Sequence, residues 1–424
     1  MAAVPPPRLV RMRILVLGSG AREHAIIKAL LREGGHQVIA APGNAGIAAE
    51  AETVALNPAD PVVVADYALQ NAIDLVVIGP EAPLVAGVAD ALRPRGIPVF
   101  GPGRAAAAIE GSKSFAKRVM ESAGVPTGAA VRAGTIAEAE AALDEIGAPY
   151  VVKADGLAAG KGVLVTQDRA EAVAHAAFWM QHGEVLVEEF LTGPEVSLFF
   201  VSDGTHVVPL APAQDFKRAH DGDEGPNTGG MGAYSPLPWL PAGFVEEVAE
   251  RVALPTIRQL AAEQTPFIGV LFCGLILTPG GVKVIEFNAR FGDPETQVVL
   301  ARLESPLSEI LLAAATGRLE HIPPPAFTED VAITVVLASE GYPEAPVTGR
   351  AITGLDAVQD VSIAHAATAR TPDGGYVATG GRVLSVVATA TDFAGARTKA
   401  YAALEAIGLE GGHYRRDIAA GVVG

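Results

Sequence analysis

The chain has few cysteines and no long apolar run, and each scarcity excludes a class of protein. Cys273 is the single cysteine among 424 residues, which excludes an intramolecular disulfide and a cysteine-rich zinc site. No window reaches the roughly 18 uninterrupted apolar residues of a membrane span. Residues 1–11 lack the apolar segment of a secretory signal and are predicted to form a disordered extension. The sequence therefore predicts a soluble, cytoplasmic protein.

Basic residues are scarce as well: 31 lysines and arginines stand against 48 acidic residues, for a net charge of −17. No basic cluster is present, which argues against nucleic acid as a partner, because phosphate backbones require concentrated Lys and Arg. An acidic enzyme still binds phosphates when its few cations are focused in a cleft. Half of the residues are hydrophobic, so the chain can bury a large interior, and its length predicts about two to four domains.

The first part of the chain alternates short apolar strands with helices, and each predicted strand ends in a glycine-containing turn. The predicted strands are Arg13 to Leu17, Val38 to Ala41, Ile73 to Ile78 and Ile97 to Phe100. This alternation is typical of a parallel, doubly wound α/β sheet. Ligands of such sheets bind at the carboxyl ends of the strands, where these turns lie.

The rest of the chain predicts further α/β units. Strands are predicted at 150–153, 162–166, 184–190, 269–277 and 282–287, helices at 135–146, 169–180 and 244–262, and a long polar loop at 214–235. The prolines at 323–325 indicate a linker. Beyond it, strands at 331–337, 363–368 and 382–388 and a helix at 393–407 predict a small α+β domain. The predicted domains are 12–108, 109–320 (with a flap subdomain at about 125–192) and 328–424.

Glu286 and Asn288 end the apolar strand that begins at Val282. Side chains two residues apart on a strand point to the same face, so a carboxylate and an amide oxygen converge there, with Arg290 close by. Such hard oxygen ligands suit Mg²⁺ held together with nucleotide phosphates. The alternative is an exposed strand end with ordinary polar residues.

Gly18-Ser19-Gly20-Ala21-Arg22-Glu23 resembles a dinucleotide fingerprint but has Glu23 at the sixth position, where that fingerprint has a glycine. No acidic residue ends the second strand to hold a ribose hydroxyl. A strand–glycine–helix turn still offers backbone N–H groups to an anion, which favours a small phosphorylated metabolite over NAD. The alternative is a turn that simply needs glycine.

A second glycine-rich segment, residues 153–162, lies between two strands and predicts a β-hairpin flap rather than a Walker A loop. Its glycines let the backbone fold over phosphates, for which Lys153 and Lys161 supply charge. Lys113, at the start of a predicted helix, adds another cation. A plain glycine-rich turn is the alternative.

Two further polar segments are candidates for ligand contacts. Glu188, Glu189 and Phe190, followed by Glu195, form a strand edge suited to an adenine, with a carboxylate placed for ribose hydroxyls. The polar loop holds Asp215 and four glycines between 225 and 232, a composition that suggests a backbone closing on a ligand.

Six segments, in order, resemble the ATP-grasp enzymes and, among them, the phosphoribosylamine–glycine ligase family. The resemblance covers nearly the whole chain from Met12 and is carried by residues 18–25, 41–46, 77–84, 153–163, 225–236 and 286–297. It implies a pre-ATP-grasp N-terminal domain, an ATP-grasp domain and a small C-terminal domain. It also implies that glycine is joined to 5-phosphoribosylamine with ATP through a glycyl phosphate. The chain departs from the family's pattern in the short stretch 180–183 and in the pair Phe272-Cys273.

The resemblance implies a role for each matching residue. Lys153, Arg290 and Asp215 are expected to be catalytic, and Glu286 and Asn288 to hold Mg²⁺ or Mn²⁺. The expected ATP contacts are Lys113, Lys153, Gly156, Leu157, Ala158, Ala159, Gly160, Lys161, Gly162, Glu188, Glu189, Phe190 and Glu195. The expected contacts of glycine and phosphoribosylamine are Gly18, Gly20, Arg22, Glu23, Asn44, Gly46, Pro80, Glu81, Asp215, Thr228, Gly229, Gly230, Met231, Gly232 and Arg290.

The expected partners are these small molecules, with neither nucleic acid nor membrane, together with transient contact with the enzyme that makes phosphoribosylamine. Two alternatives stay open at this point. One is another purine-pathway ATP-grasp ligase or carboxylase, which would share the flap and the Glu286–Asn288 pair but not segments 77–84 and 225–236. The other is a nucleotide-binding protein without turnover, although no predicted cation or metal ligand is missing from this chain.

Overall fold

A computed structural model describes residues 11–156 and 162–423. The predicted extension, apart from Arg11, and the flap residues Leu157 to Lys161 lie outside this range. Within it, no helix is long and apolar enough to cross a membrane.

The N-terminal unit is the predicted parallel α/β sheet. Its strands follow the order β3-β2-β1-β4-β5 and are all parallel: β1 Arg13–Gly18, β2 Gln37–Pro42, β3 Glu52–Thr53, β4 Leu75–Ile78 and β5 Val99–Phe100. Its helices are α1 Ala21–Glu33, α2 Ile47–Glu50, α3 Pro61–Gln70, α4 Glu81–Ala86, α5 Val88–Leu92 and α6 Arg104–Gly111. The strand order reverses between β1 and β4, which opens a crevice at their carboxyl ends. The predicted α/β class is confirmed.

A helix and a four-stranded antiparallel sheet follow. The elements are α7 Lys113–Ala123, β6 Ala130–Ala133, α8 Ile136–Ile146, β7 Tyr150–Ala154, β8 Val163–Thr166, α9 Arg169–Trp179 and β9 Val185–Glu188. The sheet order is β6-β9-β7-β8. Helix α8 begins where expected because Thr135 caps it and accepts a hydrogen bond from the Glu138 N–H. We call this unit, residues 130–188, the flap sheet.

The central region contains a second antiparallel sheet with the order β11-β10-β16-β17. Its strands and those between them are β10 Glu195–Asp203, β11 Val207–Pro209, β12 Gln214–Asp215, β13 Arg218–His220, β14 Glu224–Asn227, β15 Gly232–Ser235, β16 Ile268–Thr278 and β17 Gly281–Asn288. The helices are α10 Phe244–Val248, α11 Leu254–Ala262, α12 Glu295–Arg302 and α13 Leu307–Ala315, with a π-helical segment, Ala249–Ala253, joining α10 to α11. Phe199 of this sheet packs edge-to-face on Phe272 and Phe291, and Phe291 stacks on Phe100 of β5.

The C-terminal region completes the fold. Its elements are β18 Val331–Ala338, β19 Ala351–Thr353, β20 Ser362–His365, β21 Thr368–Arg370, β22 Tyr376–Ala378, β23 Arg382–Ala390, α14 Phe393–Ala406 and β24 Gly408–Leu409. They build one sheet in the order β12-β15-β18-β23-β20 and another in the order β21-β22-β19-β24. The domain boundaries given above stay a prediction, since β12 and β15 join a sheet on the far side of the proline linker.

Two sequence predictions were wrong. The segment 214–235 is not a loop, because it contains four short strands whose glycines and polar residues hid their backbone pairing. The predicted strand 363–368 is two strands, β20 and β21, which belong to different sheets. The chain bends at Ala366 and Ala367. Because these small residues interrupt the strand-like pattern only weakly, the sequence did not indicate the bend.

Candidate active site

A β-bulge at the end of β17 decides where Glu286 points. Val282 and Val284 are buried, so strict alternation would bury Glu286 beside them. The register with β16 shifts between Gly274 and Leu275, which leaves one extra residue on β17. After the shift Phe287 is buried, while Glu286 is exposed and Asn288 is half-buried. The predicted convergence of Glu286 and Asn288 on one face therefore holds, although it depends on the bulge.

The same face continues across three neighbouring strands. Glu286 pairs with Gly274, Gly274 with Ser197, and Ser197 with Ala213. A Cβ on Gly274 would lie 3.1 Å from Glu286 Cγ, so the missing side chain lets Glu286 lean toward β10. Glu195 lies two residues before Ser197, and Asp215 lies two residues after Ala213, so both belong to the same face.

Two residues of this polar face were missed from the sequence, Lys217 and Glu295. Lys217 Nζ lies 2.5 Å from Glu195 Oε2. Glu295, at the start of α12, is buried and accepts a hydrogen bond of 3.0 Å from Ser197 Oγ. The sequence signals Lys217 only by its spacing, two residues after Asp215. The contact partners of Lys217 and Glu295, which are Glu195 and Ser197, lie far away in the sequence.

The electrostatics of this polar face shift the pKa values of its acids in opposite directions. Burial, together with Asp215, raises the pKa of Glu295 to about 7. Burial also raises the pKa of Asp215, which Glu195 and Glu286 raise further. Partial desolvation by its neighbours would by itself raise the pKa of Glu286, but Lys217, Lys153, Lys113 and Arg290 lower it below its ordinary value. Glu286 is therefore held as a carboxylate, as a metal ligand must be.

The Glu286–Asn288 pair fits a cation that takes most of its ligands from elsewhere. Among the described residues, no group of three or more His, Cys, Asp or Glu side chains could hold a metal by itself. Mg²⁺ is commonly bound by one or two protein oxygens plus phosphates and water, which matches an open face with one carboxylate and one amide.

The predicted phosphate lysines lie where the flap sheet meets α7. Lys153 is buried, and its Nζ lies 2.9 Å from Glu188 Oε2. Lys117, which the sequence analysis missed, approaches the same oxygen at 3.4 Å. Lys113 Nζ donates to the Gly156 carbonyl at 3.0 Å, and its burial lowers the pKa of that lysine. Four predicted ATP residues, Lys113, Lys153, Gly156 and Glu188, thus lie together.

The remaining predicted ATP residues are placed unevenly. Ala154 N–H donates to the Gly162 carbonyl at 2.8 Å, which closes the base of the predicted hairpin, and its tip lies outside the described residues. Phe190 is exposed beyond the end of β9. Glu189 is turned away from Lys153 by strand alternation, and its carboxylate binds Lys283 and the Ala129 N–H.

Arg290 lies between the central sheet and the crevice of the N-terminal sheet. Its NH2 group is 2.9 Å from Glu110 Oε1, and its Nε is 3.6 Å from Glu81 Oε2. Nε is buried without a hydrogen-bond partner among the described residues. Glu81 begins α4, directly after Pro80, so these predicted substrate residues meet at the β4 end of the crevice. The other terminal nitrogen donates to the Phe291 carbonyl at 3.2 Å, so Nε is the guanidinium N–H left for a further acceptor within the described part of the chain.

The first glycine turn is filled by a side chain of its own helix. Glu23 Oε2 accepts the Gly20 N–H at 2.6 Å, and Glu23 Oε1 accepts Arg22 Nε at 2.6 Å. A Cβ at Gly18 would lie 2.6 Å from Glu23 Cγ, and one at Gly79 would lie 2.2 Å from Glu23 Oε1. The packing of Glu23 therefore already explains both glycines, and a phosphate role for this turn stays a prediction.

Asn44 and Gly46 connect the N-terminal sheet to the C-terminal region. Asn44 Nδ2 donates to the carbonyls of Ser19 and His365 at 2.8 and 2.7 Å. A Cβ at Gly46 would lie 2.2 Å from His365 Cγ, so only glycine fits there. These contacts are structural, and the substrate role predicted for both residues stays untested.

The glycines of segment 228–232 are also set by close packing. Gly229 N–H donates to the Tyr342 hydroxyl at 2.9 Å, and Arg382 donates to the Gly229 carbonyl at 2.6 Å. The Thr228 hydroxyl donates to the Lys217 carbonyl, and Met231 is fully buried. A Cβ at Gly230 would lie 2.4 Å from Pro294 Cδ. One at Gly232 would lie 2.6 Å from the Thr334 carbonyl oxygen. Through these contacts the segment supports β12 and the main chain of Lys217.

Comparisons with family models and with known proteins indicate the same family. The model of the phosphoribosylglycinamide synthetase N domain matches residues 12–110, that of its ATP-grasp (A) domain residues 111–296, and that of its C domain residues 332–421. Phosphoribosylamine–glycine ligase of Leifsonia xyli is 68% identical over 415 residues, which are 96% of this chain and 100% of that protein. The ligase of Streptomyces coelicolor is 56% identical over 419 residues, with 97% and 100% covered.

Solved structures agree with this. The crystal structure of phosphoribosylamine–glycine ligase from Thermotoga maritima is similar with a TM-score of 0.84 and 34% identity, covering 96% of this chain and all of that one. A biotin carboxylase domain from Hydrogenobacter thermophilus, solved with MgADP, is similar with a TM-score of 0.72 at 20% identity, covering 96% and 92%, and shows the fold alone. The chain belongs to the phosphoribosylglycinamide synthetase family of ATP-grasp ligases.

Proposed function

We propose that this protein joins glycine to 5-phosphoribosylamine with ATP, giving glycinamide ribonucleotide, ADP and phosphate in purine biosynthesis. The observation that carries the proposal is the arrangement of Glu286, Asn288 and Asp215 on one sheet face. Arg290 lies next to that face, and the lysines of α7 and the flap sheet contribute to its field.

The chemistry explains why cations and carboxylates are both needed. A glycine carboxylate cannot accept an amine directly, because oxide is not a leaving group. Transfer of the γ-phosphoryl group to a carboxylate oxygen gives glycyl phosphate and ADP. The amine nitrogen of phosphoribosylamine then attacks the acyl carbon, and phosphate leaves with the bridging oxygen. Positioning and charge stabilisation are the protein's contributions.

Each group in the site has a role that follows from its charge and position. Lys153 and Lys113 bind ATP phosphates, and Glu195 accepts a hydrogen bond from a ribose hydroxyl. Arg290 binds the glycine carboxylate and the developing acyl phosphate, since a guanidinium group matches a planar anion. Asp215 binds the glycine ammonium.

Glu286 and Asn288 are the residues that would hold Mg²⁺. When bound, Mg²⁺ neutralises charge on the ATP phosphates. Mn²⁺, with similar preference for oxygen ligands, would also fit this pair.

The test is ADP release with Mg·ATP, glycine and freshly generated phosphoribosylamine, with each component omitted in turn. We expect ADP only with all three, together with glycinamide ribonucleotide. ADP formed with a different acid or amine would instead indicate another ATP-grasp ligase, and ATP binding without turnover would indicate a nucleotide-binding protein.

A further inference from the structure

Lys217 lies among residues that are proposed to bind three different ligands. Its Nζ contacts Glu195, the proposed ribose ligand, at 2.5 Å. Asp215, the proposed ammonium ligand, is two residues earlier. The extended pairing continues past β12, because Phe216 N–H donates to the Gly232 carbonyl at 2.9 Å. The side chains of Asp215 and Lys217 therefore point to the same face, toward the row that contains Glu286.

The main chain of Lys217 is held independently of its ammonium group. The Thr228 N–H and the Thr228 hydroxyl both donate to the Lys217 carbonyl, at 2.7 and 2.8 Å. A substitution that removes only the ammonium group leaves both bonds in place. The effect of the charge can thus be measured separately from the effect of the backbone.

Charge compensation is the evident consequence of this position. Asp215, Glu195 and Glu286 all raise the pKa of Lys217, against the opposing effect of partial desolvation of this half-exposed side chain. In return, Lys217 is the foremost of the cations that lower the pKa of Glu286. Without this lysine the neighbouring carboxylates would repel one another.

We propose that Lys217 is a positioning residue that compensates Glu286 and Asp215 until a divalent cation and the glycine ammonium arrive, and that it fixes Glu195 for the nucleotide. The inference rests on the proposed function for the identity of those ligands. A divalent cation at Glu286 and an ammonium at Asp215 supply the same positive charge that Lys217 supplies beforehand. Cation binding must therefore work against Lys217, whereas nucleotide binding benefits from it.

The experiment is calorimetric titration of Mn²⁺ into protein saturated with ADP, whose phosphates complete the metal site, for the wild type, Lys217→Met and Lys217→Arg. We expect Lys217→Met to bind Mn²⁺ about ten-fold more tightly, because one nearby positive charge is gone. Lys217→Arg should match the wild type. Lys399→Met is the matched control, since it removes an exposed ammonium from α14 whose hydrogen-bond partner among the described residues is the Thr389 carbonyl, at 2.9 Å.

A second readout separates this role from a merely structural one. We expect the KM for ATP to rise several-fold in Lys217→Met and to return in Lys217→Arg, because Glu195 has a cationic partner again. Unchanged or weaker Mn²⁺ binding in a folded Lys217→Met protein overturns the proposal. Lys217→Gln replaces Lys217→Met if the latter does not fold.

The two proposals fail separately. If the wild type produces glycinamide ribonucleotide and Lys217→Met has an unchanged Mn²⁺ affinity, only the role of Lys217 is overturned. A wild type without turnover overturns the proposed function, whereas tighter Mn²⁺ binding in the variant still supports the charge compensation.

Discussion

Glu286 illustrates how a single residue can be essential to activity and unimportant for folding. Its carboxylate is exposed and forms no hydrogen bond or ion pair with the described residues, so its removal breaks no direct contact and forfeits only the attraction of the surrounding cations. We expect Glu286→Ala to lose turnover by about a thousand-fold, the loss typical of a charge-stabilising group in a closed site. Its melting temperature should stay close to that of the wild type, because the side chain is exposed and no direct contact is lost. Full activity in this variant would remove Glu286 from the metal site.

Arg290 is predicted to act on glycine rather than on ATP. Arg290→Ala should lower kcat/KM for glycine by about 100-fold, while the KM for ATP changes little. Arg290→Lys should recover only part of the loss, because an ammonium cannot make the paired hydrogen bonds of a guanidinium. Arg118→Ala, which removes an exposed pair with Glu263 at 2.7 Å, is the control. An unaltered kcat/KM for glycine in Arg290→Ala would contradict the assignment.

At the scale of elements, the active face depends on a glycine in the middle of β16. Gly274→Ala places a Cβ 3.1 Å from Glu286 Cγ, which forces the carboxylate away from β10. We expect a loss of activity greater than the loss of stability, which should be about 1 to 2 kcal/mol. Gly280→Ala, whose Cβ meets Thr278 Oγ1 at 3.6 Å in the β16–β17 turn, serves as the control. Equal activity of the two variants, by kcat at saturating ATP, would show that Glu286 needs no such space.

The strands and most helices could be predicted from sequence because their signals are local. Period-two alternation and glycine turns marked β1, β2, β7 and β17, and the pair Glu286–Asn288 was found by its spacing alone. Lys217 and Glu295 could not be found in this way, because each gains its role from a residue on another strand. The contacts of Asn44 were equally hidden, since its partner His365 lies 321 residues away. Cross-strand register and packing between sheets are the two properties that a local pattern does not contain.

At the scale of the whole molecule, two buried histidines join the N-terminal and C-terminal sheets. The backbone N–H of His365 donates to His24 Nδ1 at 2.9 Å, and Glu50 Oε1 lies 3.3 Å from His24 Nε2. Burial, with smaller contributions from His24, Lys28 and Arg370, lowers the pKa of His365 to about 4, and burial also lowers the pKa of His24. Both rings are therefore neutral in the folded protein at neutral pH.

This pair predicts sensitivity to mild acid. Between the ordinary histidine pKa and about 4, the unfolded chain binds a proton that His365 in the folded protein does not, so stability falls as pH falls through this window. At pH 5 the loss should be about 2 kcal/mol, which corresponds to the roughly 1.5 pH units between the ordinary histidine pKa and pH 5. Urea unfolding of the wild type and His365→Asn at pH 7.5 and 5 measures it, and the variant should lose less than the wild type. Identical pH dependence of the two proteins would show that the pair does not control acid stability.

The most direct test of the proposed reaction follows an oxygen atom. Glycine labelled with ¹⁸O in its carboxylate is turned over with ATP and phosphoribosylamine, and the released phosphate is analysed by mass spectrometry. If glycyl phosphate forms and is opened by the amine, each phosphate carries one ¹⁸O and each glycinamide ribonucleotide retains the other. Phosphate free of label, formed alongside glycinamide ribonucleotide, would contradict this account.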